Sequence, residues 1–257
     1  GPGDVTSALF VPPDARGRAR IRAKAPGVVA GTAVAAEVFR LAGADAARAL
    51  VEDGAPVAPG DAVLEADGPA RALLAGERTA LNLLCRMSGV ATLTARFVDA
   101  VRGTGARVLD TRKTTPLWRA LEKHAVVAGG GENHRFALYD AVLVKENHLV
   151  WGADWRAALK ARPKGMPAIV EAEDLDQFRR AVEAGADVVM LDDFTPEQVA
   201  EARRLRGDRK KPELEVSGGI TLDTVRRYAE AGVERISIGA LTHSAPALDM
   251  SCRTDAA

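Results

Sequence analysis

From residue 106 onwards, six short apolar runs end in residues that could do chemistry. The residues at these ends are Asp110 with Arg112 and Lys113, then Lys145, Glu171, Asp192, Ser217-Gly218-Gly219, and Gly239 with Ala240. One polar residue at the end of an apolar run is usually a solvated strand end. Six such ends in succession favour one shared site, because α/β barrels carry their active sites at the carboxyl ends of their strands.

Cations dominate the earlier part of this set. Arg112 and Lys113 follow the first run, His134 and Arg135 follow three consecutive glycines, and Lys145 ends the second run. An arginine guanidinium binds a carboxylate through two parallel hydrogen bonds, whereas a lysine ammonium acts as a point charge. Five potential cations around one cavity predict a strongly anionic ligand.

Two acidic residues, Glu171 and Asp192, end later runs. Carboxylate oxygens opposite phosphate groups suit Mg²⁺, which usually keeps waters and substrate oxygens in its shell. We therefore expect Mg²⁺ as the cofactor, held by this pair indirectly through substrate or water. The alternative is that the two carboxylates form salt bridges with nearby lysines. The same salt bridges are compatible with a magnesium site that holds no substrate.

Glycines end the last two runs. Ser217-Gly218-Gly219 precedes a predicted helix, and Gly239-Ala240 follows the last strand. The loops after the last two strands of an α/β barrel commonly bind phosphate, because glycine lets backbone N–H groups approach the oxygens. Two ordinary turns would look similar, but the presence of both loops at the end of a barrel favours a phosphate site.

No side chain is set up as a nucleophile. The sequence has no Gly-x-Ser-x-Gly motif and no zinc spacing among its four histidines. A lysine at a strand end could form a Schiff base, so an aldolase acting through Lys145 is one alternative. A phosphate-binding barrel without activity is another, although it would be expected to have lost Lys113, Glu171 or Asp192. The residues favour a site that works by charge and positioning.

These residues need a scaffold that brings the strand ends together. The apolar runs span Arg107–Asp110, Ala141–Lys145, Ala168–Glu171, Val188–Asp192, Leu214–Ser217 and Arg235–Gly239. Helix candidates lie among them at 154–161, 174–184, 196–205 and 221–231. Buried parallel strands that alternate with helices are typical of βα units, and a long series of them favours a closed α/β barrel over an open sheet.

The first 70 residues show a different sequence pattern, with short strands between Gly and Pro turns. The predicted elements are a strand at 18–24, a helix at 28–41, and strands at 49–51 and 62–66. They make a small α+β unit. A helical stretch from Gly68 to about Arg102 follows, and Gly89 is expected to interrupt it.

Composition excludes several classes of protein. The 257 residues suit one large barrel with a small companion domain. Lys and Arg number 35, as do Asp and Glu, so no bulk charge points to nucleic acid or to a membrane surface. The two cysteines, Cys85 and Cys252, have no metal-like spacing, and the longest apolar stretch is too short to cross a bilayer. We expect a reduced cytoplasmic protein.

Several motifs in one collinear order resemble the quinolinate phosphoribosyltransferases. They are Glu77-Arg78-Thr79-Ala80-Leu81-Asn82, Ser88-Gly89-Val90-Ala91-Thr92, Asp110-Thr111-Arg112-Lys113-Thr114-Thr115-Pro116, Ala120-Leu121-Glu122-Lys123, Gly129-Gly130-Gly131-Glu132-Asn133-His134-Arg135, Lys145-Glu146-Asn147-His148 and Gly239-Ala240-Leu241-Thr242-His243-Ser244. The resemblance covers nearly the whole chain, and the block from 77 to 148 is highly specific.

The resemblance implies an N-terminal open-faced α+β sandwich over 1–103 and an incomplete, seven-stranded α/β barrel over 104–244. The tail at 245–257 is expected to pack back on the first domain. The implied reaction joins quinolinate to phosphoribosyl pyrophosphate and releases pyrophosphate and CO₂. It gives nicotinate mononucleotide in de novo NAD biosynthesis. The family also implies a homodimer with shared active sites, and leaves open whether dimers assemble into hexamers.

Roles for single residues follow from motif position. Arg78, Arg112, His134 and Arg135 match residues that bind quinolinate, with Arg78 entering from the other subunit. Lys113, Lys145, Glu171 and Asp192 match the catalytic set near the ribose, Mg²⁺ and pyrophosphate. Ser217, Gly218, Gly219, Gly239 and Ala240 match the loops that bind the 5′-phosphate. Among these residues, only Arg78 is not indicated by the residue patterns described above, because it lies in the helical stretch before the barrel.

The chain departs from the usual family pattern at a few positions. Asp193 stands where asparagine is common, Leu117-Trp118 replaces a pair that contains glycine, and Ile169 replaces a glutamate. Family members usually carry more chain before Gly3, so an N-terminal helix is expected to be missing. A paralogue that uses another heterocyclic acid is the nearest alternative, and the complete set of cations argues against it.

Overall fold

The fold is built from two units that differ in their secondary structure. The computed structural model describes residues 3–152 and 154–256. Among these, the residues within 1–95, 120–130 and 244–257 form the first unit, and those within 96–119 and 131–243 form the second. The first unit therefore takes segments from both ends of the chain and from its middle.

An antiparallel sheet is the framework of the first unit. The elements up to residue 100 are α1 (Val5–Phe10), β1 (Arg16–Ala23), β2 (Gly27–Val28), α2 (Thr32–Leu41), β3 (Ala46–Ala49), β4 (Pro56–Val57), β5 (Ala62–Pro69) and α3 (Ala70–Ala100). Along β1 the alternate residues Ala19, Ile21 and Ala23 are buried, as the alternating pattern predicts. They join Phe39 of α2 and Leu73 of α3 in one hydrophobic core.

The helix predicted at 28–41 is wrong at its start, because α2 begins at Thr32. Val28 lies in β2 instead. Gly31 has φ 93°, a backbone conformation that favours glycine. Asp53 accepts hydrogen bonds from the backbone N–H groups of Gly31 and Thr32 at 2.8 and 3.0 Å. These bonds satisfy the first donors of the helix, so a distant carboxylate sets where it starts.

The interruption predicted at Gly89 is also wrong. Helix α3 runs through this position without a break for 31 residues. A Cβ at Gly89 would lie 2.1 Å from the backbone oxygen of Pro246. Glycine is therefore present because another segment packs closely against the helix, and not because the helix ends.

The later elements alternate strands with helices. They are β6 (Arg107–Leu109), α4 (Arg119–Ala128), β7 (Val142–Val144), α5 (Glu146–Leu149), α6 (Trp155–Lys160), β8 (Ala168–Ala172), α7 (Leu175–Ala184), β9 (Val188–Asp192), α8 (Pro196–Arg206), β10 (Glu213–Ser217), α9 (Val225–Ala231), β11 (Arg235–Ser237), α10 (Ala240–His243) and β12 (Met250–Ala256). All residues of the six strands from β6 to β11 are buried or half-buried, as expected for parallel strands covered by helices.

Strands β6 to β11 form one parallel sheet in the order β6-β11-β10-β9-β8-β7. The first strand therefore lies beside the last, which is the neighbour relation that a barrel requires. Glu132 forms an isolated parallel bridge with Leu109, where a further short strand would continue the sheet beyond β6. The prediction of an α/β fold with an incomplete barrel and an antiparallel N-terminal sheet is confirmed. Six strands are formed in the described residues, and the bridge at Glu132 takes the place of a seventh.

The end of the chain belongs to the first sheet. Strand β12 pairs antiparallel with β1, from Ala23 opposite Met250 to Gly17 opposite Ala256. The sheet order is β12-β1-β5-β3, so the tail covers one edge of β1. None of the helices in the described part of the chain is long and apolar enough to cross a membrane.

Candidate active site

Parallel pairing brings the carboxyl ends of the barrel strands to one edge of the sheet. Asp192 pairs with Ser217 across β9 and β10, and Glu171 of β8 pairs with Met190. A cavity of about 230 Å³ lies at this edge. It is lined by Thr111, Arg112, Lys113, His134, Arg135, Leu143, Lys145, Met190, Asp192, Ser217 and Ser237. The cavity collects all five cations that the sequence predicted, and every lining residue belongs to the second unit.

Two arginines of the cavity carry charge that the protein compensates only in part. The Nε of Arg112 is buried and has no hydrogen-bond partner within the described structure. Burial lowers the pKa of the Arg135 guanidinium, and the neighbouring charge of Arg112 lowers it further. A bound anion would satisfy the buried N–H and relieve the repulsion between the two guanidiniums. The geometry therefore suits an acid with more than one carboxylate.

His134 lies on the cavity wall and is buried. Its backbone N–H donates to Asp110 at 2.8 Å, and its Nδ1 accepts from the backbone N–H of Arg135 at 2.8 Å. Its Nε2 lies 3.2 Å from Oε1 of Glu215. Both ring nitrogens thus face groups of the protein, which distinguishes His134 from the arginines beside it.

Lys145 forms an ion pair with the buried carboxylate of Glu171. Burial raises the pKa of Glu171 to about 7, an effect opposed by Lys145 and reinforced by Glu146 and Asp192. Burial also raises the pKa of Asp192, and the charge of Asp193 raises it further. The salt bridge that the alternative interpretation expected is present here. Raised carboxyl pKa values beside lysines are also typical of catalytic sites.

Both predicted glycine loops directly follow barrel strands. Gly218 and Gly219 have φ values of 99° and 55°. The φ of 99° favours glycine at Gly218, and a Cβ there would lie 3.0 Å from the backbone nitrogen of Asp193. A Cβ at Gly239 would lie 3.1 Å from Cδ of Lys113, which places the second loop against a predicted catalytic lysine. The next residue begins α10.

Arg78 is placed differently from the other predicted residues. It lies on α3 in the first unit, and its side chain is 74% exposed. Its nearest acidic partner is Glu77, at 3.9 Å. An exposed pair of this kind contributes about 0–1 kcal/mol to stability, so the fold gives Arg78 no strong structural task.

Two positions that depart from the family pattern have positive φ. Asp193 has φ 55° and Leu117 has φ 66°. Aspartate and asparagine both tolerate this conformation, so the exchange at Asp193 preserves the loop. The leucine is fully exposed and lies in the loop that follows the cavity residues Arg112 and Lys113.

Sequence reasoning gave no role to four residues of the cavity wall, Thr111, Leu143, Met190 and Ser237. Leu143, Met190 and Ser237 each stand two positions before a predicted site residue, on β7, β9 and β11. Side chains two positions apart on a strand point to the same side, so this spacing was a signal that could have found them. Leu143 and Met190 give the cavity an apolar wall beside its cations.

Comparison with known proteins identifies the family. Residues 4–88 match the family model for the N-terminal domain of quinolinate phosphoribosyl transferase, and residues 90–253 match the model for its C-terminal domain. A probable nicotinate-nucleotide pyrophosphorylase (carboxylating) of Archaeoglobus fulgidus is 43% identical, over 98% of both chains. The nicotinate-nucleotide pyrophosphorylase (carboxylating) of Mycobacterium leprae is 42% identical, over 96% of this chain and 89% of its own.

Solved structures give the same result. NadC from Streptococcus pyogenes superimposes with a TM-score of 0.92 at 38% identity. The match covers 99% of this chain and 91% of that one. The resemblance inferred from the motifs is therefore confirmed: the chain belongs to the quinolinate phosphoribosyltransferase family.

Proposed function

We propose that the protein transfers a phosphoribosyl group from phosphoribosyl pyrophosphate to quinolinate and forms nicotinate mononucleotide, pyrophosphate and CO₂. The relatives carry the name of this activity, nicotinate-nucleotide pyrophosphorylase (carboxylating). The observation that carries the proposal is the pair of crowded, partly desolvated guanidiniums of Arg112 and Arg135. Such a pair needs a ligand with several negative charges. The direct test is incubation with quinolinate, phosphoribosyl pyrophosphate and Mg²⁺, followed by mass detection of nicotinate mononucleotide.

Quinolinate fits the cavity through its two carboxylates and through its aromatic ring. Its two adjacent carboxylates match Arg112 and Arg135, each of which can form parallel hydrogen bonds with a carboxylate. His134 lies next to them and holds the backbone of Arg135. The aromatic ring has the apolar wall of Leu143 and Met190 to pack against. A purely phosphate ligand would have no use for that wall.

Phosphoribosyl pyrophosphate fits the remaining part of the site. Its 5′-phosphate would bind the backbone N–H groups of the loops at Ser217-Gly218-Gly219 and Gly239-Ala240. Lys113 and Lys145, the two lysines of the cavity wall, are proposed to bind the pyrophosphate. Glu171 and Asp192 are the carboxylates proposed to bind the ribose hydroxyls: Asp192 lines the cavity, and Glu171 is buried in its ion pair with Lys145.

Mg²⁺ fits as a partner of the substrate. Within residues 3–152 and 154–256, no three His, Cys, Asp or Glu side chains are placed to hold a metal. Glu171 and Asp192 would hold the ion indirectly, through ribose hydroxyls or water, as is common for Mg²⁺ bound to phosphates. When bound, the ion supplies positive charge to the pyrophosphate.

The chain's own residues then account for the reaction. The bond from ribose C1 to pyrophosphate breaks through an oxocarbenium-like state, and Lys113 and Lys145 offset the charge on the leaving group. Glu171 and Asp192 stabilise the cationic carbon. The pyridine nitrogen forms the new bond to C1. The positive ring accepts the electron pair of the bond to the 2-carboxylate, CO₂ leaves, and a proton from solvent takes its place.

Substrate choice tests the arginines. Nicotinate lacks one carboxylate, so its binding would leave a buried cation without a partner, at a cost of about 1–3 kcal/mol. We expect kcat/KM for nicotinate to be roughly 5- to 150-fold lower than for quinolinate. Product detected by mass with each acid measures the ratio. Equal turnover of the two acids would contradict the roles of Arg112, His134 and Arg135.

The pKa of Glu171, about 7, predicts the pH dependence. Below this pH the carboxyl group binds a proton and can neither pair with Lys145 nor stabilise a cation. We therefore expect kcat/KM to rise as the pH increases through about 7. Glu171→Gln should give a low rate that lacks this rise. If kcat/KM of Glu171→Gln still rises through about pH 7 as in the wild type, another group controls the pH dependence.

The proposed active enzyme is a homodimer in which Arg78 completes the site of the other subunit. Its exposed position on α3 and its weak contact with Glu77 leave the guanidinium available for this role. An isologous dimer would place two such arginines in two sites at once.

A further inference from the structure

A buried carboxylate lies beneath the wall of the cavity. Glu215 on β10 is 0% exposed, and its two oxygens have different partners. Oε1 accepts from the hydroxyl of Ser237 and lies 3.2 Å from Nε2 of His134. Oε2 accepts from Nε of Arg235 at 2.7 Å. One oxygen therefore contacts two residues of the cavity wall, and the other accepts a hydrogen bond from a half-buried cation.

The period of the strands explains this placement. Glu213, Glu215 and Ser217 alternate along β10, so their side chains point to the same side at successive depths. Ser217 lines the cavity, and Glu215 lies one level below it. Glu213 lies one level lower still, where it pairs with Arg107 at 2.9 Å. Only the middle glutamate contacts residues that line the cavity.

Hydrogen bonding determines where the proton of His134 lies. The backbone N–H of Arg135 donates to Nδ1, so this nitrogen must be an acceptor without a proton. The ring proton is then on Nε2, which faces Glu215. Burial tends to raise the pKa of Glu215, but the contact with His134, the charge of Arg235 and a hydrogen bond from Ser237 together lower it. The carboxylate therefore stays ionised and keeps the ring in this tautomer.

We propose that Glu215 is a positioning residue for the dicarboxylate: it holds the His134 ring, and through Nδ1 the backbone of Arg135, in the orientation that binds quinolinate. The inference rests on the proposed function for the identity of the ligand. The guanidiniums of Arg112 and Arg135 bind the carboxylates. The Glu215–His134 pair fixes the backbone position from which the Arg135 side chain extends. Ser237, held by the same oxygen, completes the wall.

Three variants test this role. Glu215→Met removes both acceptors at similar volume, and misplacement of binding groups by about 1 Å can cost on the order of 100-fold. We expect at least a roughly 10-fold higher KM for quinolinate, with KM for phosphoribosyl pyrophosphate within about 3-fold of wild type. Glu215→Gln keeps one acceptor oxygen and should restore much of the loss. Glu213→Met is the matched control one level lower and should leave both KM values within about 3-fold.

The tautomer gives a second test that needs no variant and no turnover. In ¹⁵N NMR spectra of the wild-type protein, His134 should carry its proton on Nε2 and have an unprotonated Nδ1. A proton on Nδ1 in the neutral ring would overturn the proposal. So would an unchanged quinolinate KM in folded Glu215→Met, or an equal rise in KM for both substrates. If wild-type protein makes no nicotinate mononucleotide, the proposed function fails, and the NMR result still decides the His134–Glu215 arrangement.

Discussion

Arg78→Ala and Lys113→Ala proteins, each nearly inactive alone, are expected to regain activity when their subunits exchange. In the proposed dimer, each site takes Lys113 from one chain and Arg78 from the other. A mixed dimer would therefore contain one complete site and one that lacks both residues. Its activity should reach up to about half that of a wild-type dimer, since one of two equivalent sites is rebuilt. Native mass spectrometry would measure exchange, and product formation would measure activity.

The control for this experiment is Arg78→Ala mixed with the double variant Arg78→Ala/Lys113→Ala. That mixed dimer has no complete site, so activity should stay absent although the subunits exchange. If the mixture of Arg78→Ala and Lys113→Ala also stays inactive after confirmed exchange, Arg78 either acts in the site of its own chain or has only a structural role. Because the contact of Arg78 with Glu77 is exposed and weak, loss of stability is not expected to explain an inactive Arg78→Ala protein.

Asp192→Asn is expected to reduce kcat by about 10²- to 10³-fold, the usual effect of removing one preorganised charge from such a site. Asp192 ends β9 beside Ser217 of the first glycine loop, and burial raises its pKa. The carboxylate is thus partly desolvated, and its proposed role is at the ribose, whereas Arg112 and Arg135 are proposed to bind quinolinate. Calorimetry should find the Kd of quinolinate within about 3-fold of wild type.

Asp193→Asn is the matched control for this prediction. It removes a charge one residue away, from an exposed side chain whose conformation asparagine also tolerates. Its kcat should stay close to wild type. If Asp192→Asn lost affinity for quinolinate but kept its kcat, Asp192 would bind quinolinate and would not act at the ribose.

Residues close in sequence determined much of the candidate site. Apolar runs of strand length, each ending in charge or glycine, predicted where Lys145, Glu171, Asp192 and the two glycine loops would lie. The reason is that parallel strands bring their carboxyl ends to one edge, so position in the strand implies position in space. The motifs added Arg78, which no strand pattern could have shown.

Contacts between distant segments decided the rest. Asp53 sets the start of α2, and the packing of Pro246 against Gly89 explains a glycine that local propensity treats as a break. The pair of His134 and Glu215 joins residues 81 positions apart, from the loop before β7 and from β10. Local sequence predicts backbone geometry, because that geometry depends on near neighbours. It cannot predict which buried polar groups will satisfy one another, because desolvation and hydrogen bonding are settled only when the strands pack.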